Sequence, residues 1–216
     1  MARILKKDIP TSEWLDRRRL RLTATDAAAI LGLDPFKNTA SLVKGKFGPA
    51  KKPFESLPMK VGHVLQDWLV EEAIVRHPEL VSRTGGISEL YVESDENREW
   101  AATVDFVQGS TIVEAKTVGL FGVHYDAEGE VVAKKSRLEY LNGWANTIPG
   151  YVFCQVQAQM LVMPEVARAI VVVLLGHETK VKTYVVPRDP DCIALLVAAG
   201  KQFFLTYAGG VNGEVF

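Results

Sequence analysis

VDFVQGSTIVEAKT, residues 104–117, is the stretch on which the fold turns. Gly109-Ser110 is a good two-residue hairpin turn between apolar runs. That turn sets the register: Gln108 faces Thr111, Val107 faces Ile112, Phe106 faces Val113 and Asp105 faces Glu114. Opposed residues carry Cβ atoms about 5 Å apart on the same face, so the two acids should meet. Lys116, two residues beyond Glu114, shares their face. Facing carboxylates repel unless a cation lies between them, and hard oxygen ligands suit magnesium, manganese or calcium. A solvent-exposed charged pair fits the same residues. Trp100, Ala102, Val104 and Phe106 alternate as one buried face, which leaves Asp105 outside the core.

Outward from this hairpin the pattern mixes helices and strands. Helices are expected over Pro10–Arg19, Ala24–Leu31, Thr39–Phe47, Met59–Arg76, Pro149–Met163 and from Asp189-Pro190 to Tyr207. Thr23 with Asp26 forms a capping-box pattern, and Gly32 lies where a helix-ending glycine belongs. Strands are expected at Glu89–Glu93, Trp100–Gln108, Thr111–Val118, Ala167–Leu175 and Lys180–Val186. The apolar run from Ala167 suits the middle of a sheet covered on both faces. Lys51–Pro58 reads as a loop, and Gly119–Ile148 as a long irregular segment with a hairpin near Glu128-Gly129. The order predicts an α/β fold with a mixed sheet.

Composition narrows the function. The 216 residues suffice for a sizeable core. A net charge of −1 argues against a protein that coats nucleic acid non-specifically, although Arg17, Arg18, Arg19 and Arg21 cluster, as do Lys44, Lys46, Lys51 and Lys52. Two cysteines, Cys154 and Cys192, read as free thiols in a reducing compartment. The longest apolar run, Ala169–Leu175, is too short to span a bilayer, and the N-terminus has no secretory apolar core. A cytoplasmic location is expected.

Two helices carry further candidates. On Met59–Arg76, the residues Met59, Gly62, His63, Gln66, Leu69, Val70 and Ala73 form one uncharged face, so Gln66 should look inward, with His63 one turn before it. An inward amide needs partners, either backbone groups or a metal. On the Pro149 helix, Tyr151, Gln155 and Gln159 share a side, while Gln157 lies on another. Three glutamines in a mostly apolar helix are unusual; a polar seam facing a cleft explains Gln155 and Gln159, and simple solvent exposure fits them too.

Glu114-Ala115-Lys116 with Asp105 resembles the metal motif of PD-(D/E)XK nucleases. WLDRRRLRLTATDAAAILG, residues 14–32, followed by Pro35, resembles the N-terminal signature of the lambda-exonuclease/YqaJ viral recombinase family, and so does PGYVFCQVQAQ, residues 149–159. The three blocks occur in the family's order from residue 14 to about 163. The resemblance implies a restriction-endonuclease-like α/β domain with a mixed central sheet flanked by helices and a helical N-terminal extension. It implies a single nuclease domain over 1–216: a helical part at 1–50, a catalytic core at 59–186, and a C-terminal helix and tail at 189–216.

The implied activity is Mg²⁺-dependent 5′-to-3′ digestion of double-stranded DNA ends, with Mn²⁺ able to substitute. It would leave a 3′ single strand for phage-type homologous recombination. By family position Asp105 and Glu114 bind metal, the Ala115 carbonyl adds a ligand, Lys116 orients the attacking water, and Gln155 is the glutamine of the active-site helix. Arg18 and Thr25 fall where the family holds the terminal 5′-phosphate; arginine forks onto phosphate, and a helix's first turn attracts anions. The family further implies a homotrimer, a single-strand annealing protein as partner, and a phage or prophage origin in a bacterial cytoplasm. Two departures stand out: Val104 replaces a proline, and Gln66 replaces a helix glutamate that would be a third metal ligand. The rival readings are an endonuclease or single-strand nuclease of the same fold, and a DNA-end-binding protein that has lost catalysis.

Overall fold

The computed structural model describes residues 2–49, 55–118, 124–125, 131–133, 143–176 and 179–208. A seven-stranded mixed sheet runs through it in the order β1-β3-β4-β5-β8-β9, with β2 alongside β4. The strands are β1 (Ala2–Leu5), β2 (Leu22–Thr23), β3 (Ile87–Glu93), β4 (Trp100–Gln108), β5 (Thr111–Val118), β8 (Arg168–Leu175) and β9 (Lys180–Pro187). The helices are α1 (Thr11–Arg19), α2 (Ala27–Ile30), α3 (Thr39–Phe47), α4 (Leu57–Arg76), α5 (Gly150–Val162) and α6 (Pro190–Tyr207). A separate pair, β6 (His124–Tyr125) and β7 (Val131–Ala133), flanks the expected hairpin; its turn at Glu128-Gly129 lies outside the described residues. So do residues 51–54 of the expected Lys51–Pro58 loop, whose last two residues, Leu57 and Pro58, open α4, and the C-terminal tail.

The β5–β8 pair is parallel and the other path neighbours are antiparallel. A parallel pair requires a crossover, and α5 lies in it. The alternation along β8 explains why the crossover packs there. Ala169, Val171, Val173 and Leu175 enter the larger core beneath α5 and α6, while Ile170 and Val172 enter a smaller core with Leu69, Val70 and Ala73 of α4. Both faces are thus covered, and each such side chain contributes about 1.5–3 kcal/mol by burial. Asp189 caps α6, accepting from the amides of Asp191 and Cys192 at 3.0 Å each.

The hairpin turn forms as its residues dictate. Gly109 adopts φ +56°, in the left-handed region open to glycine. Gln108–Thr111, Val107–Ile112 and Phe106–Val113 then pair in the expected register. Beyond that the expectation fails: the β4–β5 ladder ends at Phe106–Val113, and Asp105 does not pair with Glu114. The expected single face of Trp100, Ala102, Val104 and Phe106 is broken as well. Trp100, Ala102 and Val104 lie in the larger core, but Phe106 lies in the smaller one. The break falls at Asp105. Its opposite residue on β3, Glu89, adopts φ +50°, and neither takes part in a β3–β4 ladder that resumes on either side. Two chains kinked at the same level change the face without changing the register.

The N-terminal part is helical but also supplies strands: β1 edges the sheet and β2 runs parallel to β4. The expected helix Ala24–Leu31 is a 3-10 turn, Ala24–Asp26, followed by only four α-helical residues. Helix α6 crosses β4 so closely that a Cβ on Gly200 would stand 2.4 Å from Nε1 of the fully buried Trp100. Gly200→Ala should therefore force the indole aside and destabilise the fold by about 1–3 kcal/mol. A lower urea midpoint at unchanged m value would show it.

Candidate active site

The broken ladder makes the site. Where β4 leaves β5, the Asp105 carboxylate replaces the missing backbone partner, and its Oδ2 accepts from the Ala115 amide at 2.8 Å. In a strand the N–H and C=O of one residue point to the same edge. The Ala115 carbonyl therefore also faces the gap. Strict alternation along β5 sends Val113 and Ala115 towards α4, and Glu114 and Lys116 towards α5.

Glu114 is buried, and three donors hold it. Lys116 Nζ and Gln155 Nε2 both donate to its Oε1 at 2.5 Å, and Gln159 Nε2 donates to its Oε2 at 2.6 Å. Lys116 Nζ also donates to Gln155 Oε1 at 3.0 Å. Burial first, and then the charge of Glu114, push the Asp105 carboxyl well above the usual aspartate range. Glu114 thus stands close enough to oppose the ionisation of Asp105. A third acid, Glu89, is half-buried and paired with Lys6 at 3.0 Å.

This donor set fits a hard divalent cation. Among the described residues no group of three or more His, Cys, Asp or Glu could hold a metal; the oxygens gathered at the gap are those of Asp105, Glu114 and the Ala115 carbonyl. One or two carboxylates with retained waters is the usual manner of Mg²⁺ binding. Gln66 is half-buried on α4, whose buried side chains pack on the sheet face that carries Val113 and Ala115; it follows by one turn Gly62, which faces Thr117 of β5. His63, expected on the inward face, is exposed and pairs with Glu55 at 2.7 Å, and Met59 is exposed as well. The first turns of α4 carry these side chains outside the core.

A second feature lies at the N-terminal block. A pocket of about 630 Å³ is lined by Arg18, Arg19, Thr25, Asp26, Lys37 and Lys46, among others. Asp26 is almost wholly buried. It accepts from the Thr23 amide and hydroxyl at 2.8 Å each, pairs with Lys46 at 2.7 Å and also pairs with Lys37. Burial works to raise its pKa, yet Lys46 and Lys37 hold the carboxyl well below the usual range. Thr25, whose hydroxyl lies 3.0 Å from that of Thr23, sits on the 3-10 turn. The expected long helix with Thr25 in its first turn is therefore not there, and the charge around Thr25 is that of the neighbouring cations. The Arg18 guanidinium lies 4.4 Å from the Trp14 ring, whose Nε1 donates to Thr103 Oγ1 at 3.3 Å. Thr103 stands two residues before Asp105, so the pocket adjoins the acidic site.

Lys37 was not legible as a pocket residue, Asp26 reads in sequence only as the capping partner beside Thr25, and Lys46 only as one of a lysine cluster. Their meeting depends on the packing of α2 and α3. Gln157, by contrast, is structural: it donates to the Pro187 carbonyl at 2.8 Å and accepts from the Asp189 amide at 2.9 Å. Cys154 and Cys192 are free thiols, the first buried and the second half-buried.

The profile of the YqaJ-like viral recombinase domain matches residues 13–165, most of the chain. The protein belongs to that family. The matched YqaJ-like region contains most of α1 and of the pocket lining, both acids and the glutamines of α5. No curated protein matches the chain in sequence. Among solved structures it is similar to an alkaline exonuclease from Laribacter hongkongensis, with a TM-score of 0.65 and 15% identity over 93% of this chain and 94% of that one. The exonuclease LHK-Exo in complex with dAMP gives a TM-score of 0.66 at the same identity and coverage. A phage related exonuclease from Haemophilus somnus 129PT gives 0.53 at 13% identity over 89% and 96%. At these identities the structures share a fold; with the YqaJ family they support a nuclease. No helix among the described residues is long and apolar enough to cross a membrane.

The buried pair yields a test. Asp26→Asn leaves Lys46 buried opposite a neutral amide, and breaking such a pair costs about 3–5 kcal/mol. Because the Asp26 pKa is depressed, its contribution is complete above the ordinary aspartate value of about 4 and is lost only as pH falls below it. The stability gap between wild type and variant, from urea unfolding, should be level between neutral pH and about pH 4 and narrow at more acidic pH.

Proposed function

We propose that the chain is a divalent-cation-dependent 5′-to-3′ exonuclease acting on double-stranded DNA ends and leaving a 3′ single strand for recombination. The observation that carries this reading is the Asp105–Glu114–Lys116–Gln155 cluster at a break in the sheet of a YqaJ-family chain, with a cation-rich pocket beside it. Asp105, Glu114 and the Ala115 carbonyl would hold Mg²⁺, with Mn²⁺ able to replace it. A bound divalent cation supplies Lewis-acid polarisation of phosphate oxygens.

The remaining roles fall to the chain's own groups. Lys116 Nζ, fixed by Glu114 and Gln155, is a charged donor at the mouth of the acid pair, placed to orient water or to offset phosphate charge. Gln155 spans Lys116 and Glu114, accepting from the first and donating to the second. Arg18, partly desolvated and stacked on Trp14, is placed to fork onto a terminal 5′-phosphate, with Thr25 as a hydroxyl donor beside it. A phosphate bound there lies near Thr103, and thus near the acids, which suits cutting close to a 5′ end. A homotrimer and a single-strand annealing partner belong to the same reading on family grounds, and light scattering tests the first.

Asp105→Ala, Glu114→Ala and Lys116→Ala should each reduce Mg²⁺-dependent digestion of linear duplex by about 10²-fold or more while leaving the fold intact. Wild type should spare a closed circular duplex. Full activity in both acid variants removes the site assignment. Cutting of the circle makes the protein an endonuclease, and sparing of both substrates leaves a DNA-end binder, the reading that Gln66 in place of a glutamate favours. Arg18→Ala should level the rates on 5′-phosphorylated and 5′-hydroxyl ends; a preference equal to wild type would return Arg18 to the role of surface charge.

A further inference from the structure

Gln159 is fully buried on α5, one turn beyond Gln155. Its amide nitrogen reaches two strands at once. It donates to the Thr103 carbonyl of β4 at 3.2 Å and to Glu114 Oε2 of β5 at 2.6 Å. These are the strands that carry the two acids, and they are joined at the level where their own ladder has ended. An amide nitrogen has two hydrogens, so one serves each acceptor. Turning the amide over would set its oxygen against two acceptors, which fixes the orientation. The orientation persists although it leaves Gln159 Oε1 buried without a partner among the described residues. Buried polar groups are normally satisfied, so a half-satisfied one points to a function other than stability.

We propose that Gln159 is a positioning residue for the acid pair: it bridges β4 and β5 across the broken ladder and thereby sets the separation of Asp105 from Glu114 and the plane of the Glu114 carboxylate. This rests on the nuclease reading. Gln155 cannot substitute, because it acts only on Oε1, which Lys116 already serves. Oε2 has Gln159 as its donor, and among the described residues no other amide side chain joins β4 to it. The second bond, to Thr103, ties the same amide to the strand that leads into Asp105 and lies beside Trp14. One side chain thus holds the acid pair and the segment that faces the pocket in a common frame.

The test compares wild type with Gln159→Met, which keeps length and volume but has no donor. Mn²⁺ alone is titrated calorimetrically, cleavage of a linear 5′-phosphorylated duplex is followed under saturating Mn²⁺, and unfolding is measured in EDTA. Loss of an orienting partner typically costs 10–100-fold, so Mn²⁺ affinity should fall about tenfold or more and kcat by a similar factor, with KM for the duplex within about twofold. The unfolding midpoint in EDTA should stay near that of wild type. Mn²⁺ affinity and kcat both close to wild type overturn the proposal. Gln159→Asn keeps the amide but is one methylene short of spanning both acceptors. It is read in the same way and decides the matter if the methionine variant does not fold: weakened Mn²⁺ binding supports the proposal, and wild-type affinity overturns it. If wild type binds Mn²⁺ yet leaves every duplex uncut, the nuclease reading fails, and the Mn²⁺ affinities still decide the role of Gln159.

Discussion

A single hydrogen bond, from the Ala115 amide to the Asp105 carboxylate at 2.8 Å, stands where a backbone rung of the β4–β5 ladder would otherwise be. Much of the site depends on that exchange. An unpaired strand amide in the interior costs free energy, so a strand can leave its neighbour only if a side chain takes over. Asp105 does so, and β4 bends away. β5 remains straight because β8 pairs with it from Thr111 to Val118 on the other edge. One fixed strand and one diverging strand produce a gap, and the groups facing it are two carboxylates and a carbonyl.

The kink at Glu89 shows that the break is built into two strands. A glutamate at φ +50° is uncommon and carries strain, which surrounding structure must hold. Here the β3–β4 register is the same before and after the kink, so the paired regions on both sides enforce it. The consequence is a change of face. Val104 packs beneath α5, and Phe106 packs beneath α4. Such a switch allows Asp105 to lie in the sheet's own plane, between strands, instead of on either covered face.

Buried charge follows one rule at two places. Glu114 is held by a lysine and two glutamines; Asp26 is held by the Thr23 amide and hydroxyl and by two lysines. Each carboxylate is desolvated and each is compensated by several donors, as burial of an ion requires. The outcomes differ in sign. At Glu114 a second acid adjoins, and the local balance favours a cation. At Asp26 the lysines are joined by Arg18 and Arg19, and the balance favours an anion. Trp14, between the two, contacts Arg18 with its ring and Thr103 with its nitrogen. A polyanion whose end must meet a cation site could be served by such a neighbouring pair of fields.

The residues by themselves determined the hairpin, its register near the turn, the central apolar strand and the presence of Asp105, Glu114 and Lys116 within a few positions of one another. These are local matters: Gly109 sets the turn, and a period of two sets the faces. The amide seam of α5 was also legible, since helical spacing places Gln155 and Gln159 on one side. Only the tertiary structure decided how far the ladder runs, because its end depends on β3 and β8 holding their neighbours while β4 bends. It alone turned His63 to solvent and brought Lys37 and Lys46 onto Asp26 from 11 and 20 residues away. Periodicity describes one element at a time. Which buried acid meets which donor depends on several elements packing together, where desolvation makes each unpaired charge too costly to leave alone.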